Sequence, residues 1–213
     1  MKVIYQAEKN YPEKLKHIYA PPAKLYLLGD ETILNKPSIA IIGCRQASDY
    51  GKKVAFRFAY ELAKQGIVVI SGLARGIDTY GHLGAVKANG KTIAVLGSGF
   101  AHIYPAENKG VCREIIQKGG AIVTEYSPES KPEKMHFPAR NRLISGLSNG
   151  VLVVEAKEKS GTLITVDYAL DQGKEVFIIP GNITNPNSNG TNSLIQQGAK
   201  LVTKVEDILA ELL

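Results

Sequence analysis

Two short glycine turns in this chain carry arginines suited to holding phosphate. The first, Gly43-Cys44-Arg45, follows the apolar run Ser38 to Ile42 and precedes an amphipathic pattern from about Asp49 to Gln65. The second, Ser71-Gly72-Leu73-Ala74-Arg75-Gly76-Ile77-Asp78, directly follows the apolar run Ile67 to Ile70. A glycine at a strand-to-helix turn lets backbone N–H groups face outward, and the next helix N-terminus adds partial positive charge. Gly43, Arg45, Ser71, Gly72 and Arg75 are therefore candidate anion-binding residues. Two such turns at successive strand ends suit a ligand with several phosphates. Glycine-rich turns also occur where they solve only a backbone problem.

The stretch Lys131-Pro132-Glu133-Lys134-Met135-His136-Phe137-Pro138-Ala139-Arg140-Asn141-Arg142 mixes cations with an aromatic. Cations beside a ring that stacks on a base suit single-stranded nucleic acid. Lys134, Phe137 and Arg140 are the candidates, and Pro138 marks a helix start. The alternative is that Phe137 seals the rim of the sheet and the cations form a solvated face. Ser160-Gly161-Thr162 opens a later helix, where it caps the end, holds an anion, or does both.

Other chemistries find less support. Dinucleotide binding needs G-x-G-x-x-G after the first strand, and the first turn lacks it. No G-x-x-x-x-G-K-[ST] phosphate loop is present, and Cys44 and Cys112, the only cysteines, form neither a zinc pattern nor a disulfide framework. No cofactor or metal is implied. Asp78 and His82 lie four apart, but a third metal ligand is missing, so a helix-end aspartate and a hydrogen-bonded histidine are expected. Glu125 and Glu155, at strand ends, are either an acid/base pair or partners that orient Arg45 or Arg75; the second is favoured. Cys44 reads as a small residue in a tight turn.

These residues need a frame. Apolar runs at Ser38–Ile42, Ile67–Ile70, Thr92–Leu96, Ala121–Thr124, Val151–Val154, Glu175–Ile179 and Lys200–Thr203 mostly lack polar alternation, as strands do when covered on both faces. Helical patterns separate them at about 49–65, 78–89, 107–118, 138–147, 162–172, 191–197 and 205–213. Gly66, Gly90, Gly119 and Gly173 fit glycines at helix C-termini. The sum is a doubly wound, mostly parallel α/β sheet, whose ligands bind at the carboxyl ends of the strands. Residues 1–37 break this rhythm. They are expected to form a small N-terminal flap, with a short helix entered through Pro12 and a strand at Lys24–Gly29, packed on a main domain of residues 38–213.

The 213 residues suffice for one domain with a real core. A net charge of +6 permits a polyanionic partner without demanding one. The N-terminus lacks a secretory apolar region and no apolar run reaches membrane-spanning length, so no membrane insertion is expected. The cysteine usage suits a reducing cytoplasm.

Taken in order, the motifs resemble the DprA/Smf DNA-processing family. They are Gly43-Cys44-Arg45 through Tyr50-Gly51, Ser71 to Asp78 with His82, Ala94 to Gly99 with Tyr104-Pro105, and Phe137 to Arg142. Val153 to Ala156 with Ser160-Gly161-Thr162, and Pro180-Gly181 with Gly190-Thr191-Asn192, complete the set. The resemblance implies an extended Rossmann-like fold that binds single-stranded DNA without catalysis, protects incoming strands and loads the recombinase RecA in natural transformation. It also implies a homodimer, with the run Glu175 to Leu213 as the expected surface. The family's DNA contacts fall on Arg45, Lys134, Phe137 and Arg140. The family's first turn commonly reads Gly-Ser-Arg, so Cys44 removes one hydroxyl donor. Many members add a helical domain before this core and a winged helix after it. Here the sequence ends at Leu213, as a natural short form or as a piece of a longer protein, so functions needing the winged helix are not implied. The competing expectation is a nucleotide-binding sensor or phosphoribohydrolase-like enzyme on a related fold, with Glu125 and Glu155 acting on a ribosyl bond.

Overall fold

A computed structural model describes residues 1–212; Leu213, the last residue of the helix expected over 205–213, lies outside them. Among the described residues nine strands form one sheet: β1 (Lys2–Tyr5), β2 (Lys24–Gly29), β3 (Ser38–Ile42), β4 (Val68–Ser71), β5 (Thr92–Val95), β6 (Ala121–Thr124), β7 (Gly150–Val153), β8 (Glu175–Ile178) and β9 (Lys200–Leu201). The α-helices of the described residues are α1 (Glu13–Lys16), α2 (Asp49–Lys64), α3 (Ile77–Lys87), α4 (Lys109–Gln117), α5 (His136–Leu147), α6 (Gly161–Asp171), α7 (Asn189–Gln196) and α8 (Glu206–Leu212).

The sheet order is β1-β2-β6-β5-β4-β3-β7-β8-β9, parallel from β3 onward and antiparallel at β1–β2 and β2–β6. The winding starts at β3. It runs outward through β4, β5 and β6 on one side and through β7, β8 and β9 on the other. The crevice at the carboxyl ends of β3 and β7 is thus the topological switch point, where ligands of open α/β sheets bind.

Side chains alternate across the sheet with period two. Ala40, Ile42, Val151 and Val153 pack against Leu143, Leu147, Val166 and Ala169 of α5 and α6. Ile39, Ile41, Leu152 and Val154 face Ala55, Phe58 and Leu62 of α2, together with Ile77 and Ile208. With both faces covered, every residue of β3 is buried, which explains its unbroken apolar run.

Residues 1–37 add two antiparallel strands to the sheet beyond β6 (Leu27 pairs Val123), and Ile4, Tyr11, Leu15, Leu25 and Leu27 share the α5/α6-side core. Lys14 fastens α1: its Nζ donates to Asn149 Oδ1 (2.8 Å), the carbonyls of Lys36 (3.0 Å) and Leu147 (3.1 Å), and Ser38 Oγ (3.0 Å). Three of the four helix-terminating glycines adopt positive φ: Gly66, Gly119 and Gly173. At the end of α3 it is Asn89, not Gly90, that turns left-handed. Gly90 instead lets the chain approach α2, since a Cβ there would stand 2.5 Å from that of Ala63.

Candidate nucleic-acid interface

The turn after β3 is fixed by a buried carboxylate. Glu155, at the end of β7 and 1% exposed, accepts from the Ser48 amide (2.9 Å) and from its hydroxyl, while Ser48 caps α2 by accepting from the Gly51 amide (3.0 Å). Gly51 makes room for this carboxylate, because a Cβ there would lie 2.4 Å from Glu155 Oε2. The Cys44 amide donates to the Glu155 carbonyl (2.9 Å), and the Ile77 amide donates to the Cys44 carbonyl (3.2 Å). Gly76, at φ +72°, lets the second turn close on the first; a Cβ would stand 2.3 Å from the Cys44 carbonyl oxygen. Arg45 is thereby presented outward from a rigid seat.

The turn after β4 differs from the expected anion site. Its Gly72 and Ala74 amides donate to Asp78 Oδ2 at 3.1 and 3.3 Å, so an internal carboxylate already fills that nest. Ser71 is a correction: it is the last residue of β4, fully buried, and its hydroxyl donates to the Ile41 carbonyl (2.6 Å) instead of facing the rim. Arg140 is 4% exposed, and its Nη1 donates to the carbonyls of Gly72 (2.7 Å) and Val95. Burial pushes the Arg140 guanidinium down to about 10 and the Asp78 carboxyl up, each tempered by the opposite charge of the other.

His82 is fully buried, with Nδ1 2.7 Å from Thr92 Oγ1. That hydroxyl gives its own proton to the Val69 carbonyl (2.7 Å), so His82 Nδ1 is the donor. Burial lowers its pKa to about 3, and the nearby Arg140 charge adds to the effect. Asp78 and His82 thus take the structural roles expected of them, and no group of three metal-ligating side chains occurs among the described residues.

The stretch after β6 enters α5 two residues before Pro138, at His136. Lys134 is exposed and Phe137 half-buried. Gly97 admits the Phe137 ring, whose Cδ1 would lie 3.0 Å from a Cβ there. His136 stacks on Tyr126 at 3.9 Å between ring centres and donates from Nδ1 to the Gly97 carbonyl (3.2 Å). Tyr104 meets Phe137 at 5.5 Å in a tilted arrangement, and the Arg45 guanidinium lies 5.7 Å from the Phe137 ring centre.

One cleft of about 810 Å³ gathers Gly43, Arg45, Arg75, Lys134, Phe137, Arg140, Ser160, Gly161 and Thr162. Gly72 lines only an adjoining recess of about 40 Å³, and Ser71 lines neither. The Ser160 hydroxyl does not cap α6, and its oxygen is buried without a partner. The cleft wall also carries Gln46, Tyr104, Asn141 and Lys157, which were not among the expected contacts. Tyr104 and Lys157 were findable as an aromatic and a cation in turns on the same rim.

Glu125 and Glu155 orient neither Arg45 nor Arg75. Glu125 grips Arg142 through two bonds of 2.6 and 2.7 Å, and Glu155 holds Ser48. Neither lines the cleft.

Residues 2–213 match the family model described as DNA recombination-mediator protein A. The chain belongs to this DprA/Smf family. It is 49% identical over 207 residues to DNA processing protein DprA of Bacillus subtilis, covering 97% of this chain and 69% of the relative. Against DprA of Streptococcus pneumoniae the identity is 45% over 201 residues, covering 94% and 71%. The X-ray structure of the pneumococcal DprA superposes with a TM-score of 0.94 at 42% identity, covering all of this chain and 74% of that one. A Helicobacter pylori DNA processing protein A, described for its unique single-stranded DNA binding mode, gives 0.88 at 34% identity, covering 100% and 96%. A molybdenum cofactor binding protein from Rippkaea orientalis, at 22% identity and a TM-score of 0.58, shares the Rossmann-like fold alone. Among the described residues no helix is long and apolar enough to cross a membrane.

Proposed function

We propose that this chain is a non-enzymatic binder of single-stranded DNA that protects incoming strands and loads RecA during transformation. The observation that carries the reading is the convergence of Arg45, Lys134 and Phe137 on one cleft at the switch point. Arg45 and Lys134 neutralise successive phosphates, and Phe137 stacks on a base. The first turn of α6, from Ser160 to Thr162, closes the far wall with outward N–H groups. The Helicobacter relative, similar over the whole chain, is described as a single-stranded DNA binder, which supports the same use here. A homodimer in the cytoplasm, joined near β8 to α8, belongs to the same proposal.

The enzymatic alternative needs two free carboxylates at the ligand, and Glu125 and Glu155 are both engaged elsewhere. Fluorescence anisotropy with a short oligo-dT at two salt concentrations tests the binding reading. Saturable binding that weakens as salt rises is expected, and no binding at low salt would refute it. Release of free base from nucleoside monophosphates, followed by chromatography, would establish the alternative.

A further inference from the structure

Arg75 does not stand free at the mouth of the recess. Glu107, on the single helical turn Ala106–Asn108 after β5, meets it through two parallel bonds: Nε to Oε1 at 2.5 Å and Nη2 to Oε2 at 2.9 Å. This is the bidentate geometry with which a guanidinium also takes two oxygens of a phosphate. The carboxylate is placed there by the fold. Its neighbour Asn108 is 5% exposed, and its amide donates to the Leu73 carbonyl (2.8 Å) and Thr79 Oγ1 (2.9 Å), which fixes the turn against α3. Arg45, in the same recess, forms no ion pair among the described residues. Arg75 and Glu107 are 60% and 52% exposed, so water screens the pair and its rupture costs little.

We propose that Glu107 is an internal competitor for phosphate: its carboxylate fills the Arg75 fork in the free protein, and a phosphodiester of single-stranded DNA displaces it on binding. This rests on the single-stranded DNA reading above. Glu107 then tunes affinity. A strand anchored at Arg45 and Lys134 supplies a phosphate at high local concentration and completes the exchange. A lone phosphate does not.

The test is oligo-dT anisotropy over roughly 50–200 mM salt. Glu107→Gln should bind about fivefold tighter at about 0.1 M salt. Its log–log salt slope should stay close to that of the unsubstituted protein, because the same phosphate reaches Arg75 in both. Glu107→Ala should show the same gain, since the carboxylate and not the side-chain bulk is at issue. In an Arg75→Gln background the gain should vanish. An equal gain in both backgrounds would reduce the effect to general charge and overturn the proposal. Binding by the unsubstituted protein with no gain in either Glu107 variant would overturn it alone. No binding by any of them would overturn the DNA reading with it.

Discussion

The Arg45 guanidinium lies 5.7 Å from the centre of the Phe137 ring, although one residue belongs to the turn after β3 and the other to the first turn of α5. The bare Gly97 backbone beneath the ring and the Glu155 carboxylate behind the Arg45 turn make this meeting possible. A cation at an aromatic ring is drawn to its quadrupole, so each side chain steadies the other. Together they set an aromatic ring and a cation side by side on the cleft wall.

Phe137→Ala should weaken oligo-dT binding about tenfold or more, since base stacking is worth roughly 1–3 kcal/mol. Phe137→Trp should retain most of the affinity. Anisotropy titration checks both, and an Ala variant that binds like the unsubstituted protein would remove Phe137 from the contacts.

Arg45→Ala should weaken binding to the same extent for dT, dA and mixed strands, and flatten the log–log salt slope by about 0.7. A salt series on each oligonucleotide measures this. An unchanged slope would take Arg45 off the phosphates.

Arg140 should show itself first in stability. Its guanidinium is buried beside Asp78 and holds the carbonyls of Gly72 and Val95. Arg140→Met leaves the buried Gly72 and Val95 carbonyls without this donor, a loss of about 1–3 kcal/mol for each. Urea denaturation gives the value. An unchanged midpoint with lost DNA binding would make Arg140 a direct contact instead.

His82 imposes an acid limit. Its folded pKa of about 3 lies below the ordinary value of 6.5, so between these two pH values the unfolded chain binds the extra proton. Stability from this site is complete above pH 6.5 and falls as pH drops towards 3, by at most about 1.4 kcal/mol per pH unit. His82→Asn, whose amide still reaches Thr92, should flatten the stability curve across that window. Chemical denaturation at several pH values reads it out.

Much of the frame was legible. Strand β3 occupies Ser38–Ile42 as expected, because burial on both faces leaves an apolar run with sharp ends. β1 escaped notice: four residues at the sheet edge, paired only with β2, leave little periodic signal. Ser71 faces the core and not the rim because its strand runs one residue further than Ile70, and a pleat turns a side chain inward or outward by a single step. Glu155 was seen as a strand-end carboxylate, but its grip on Ser48 spans 107 positions and exists only once β3 and β7 pair. Residue type and rim position sufficed to expect Arg45, Lys134 and Phe137 on one cleft wall, whereas the engagement of Arg75 and Arg140 depended on partners far along the chain.

The most direct measurement compares one labelled oligo-dT, alone and annealed to its complement, by anisotropy at moderate salt. Bases paired inside a duplex cannot reach Phe137, so the single strand should bind clearly more tightly, and Phe137→Ala should narrow the gap. Equal affinity for the two forms, unaffected by Phe137→Ala, would contradict a cleft built for unpaired nucleotides.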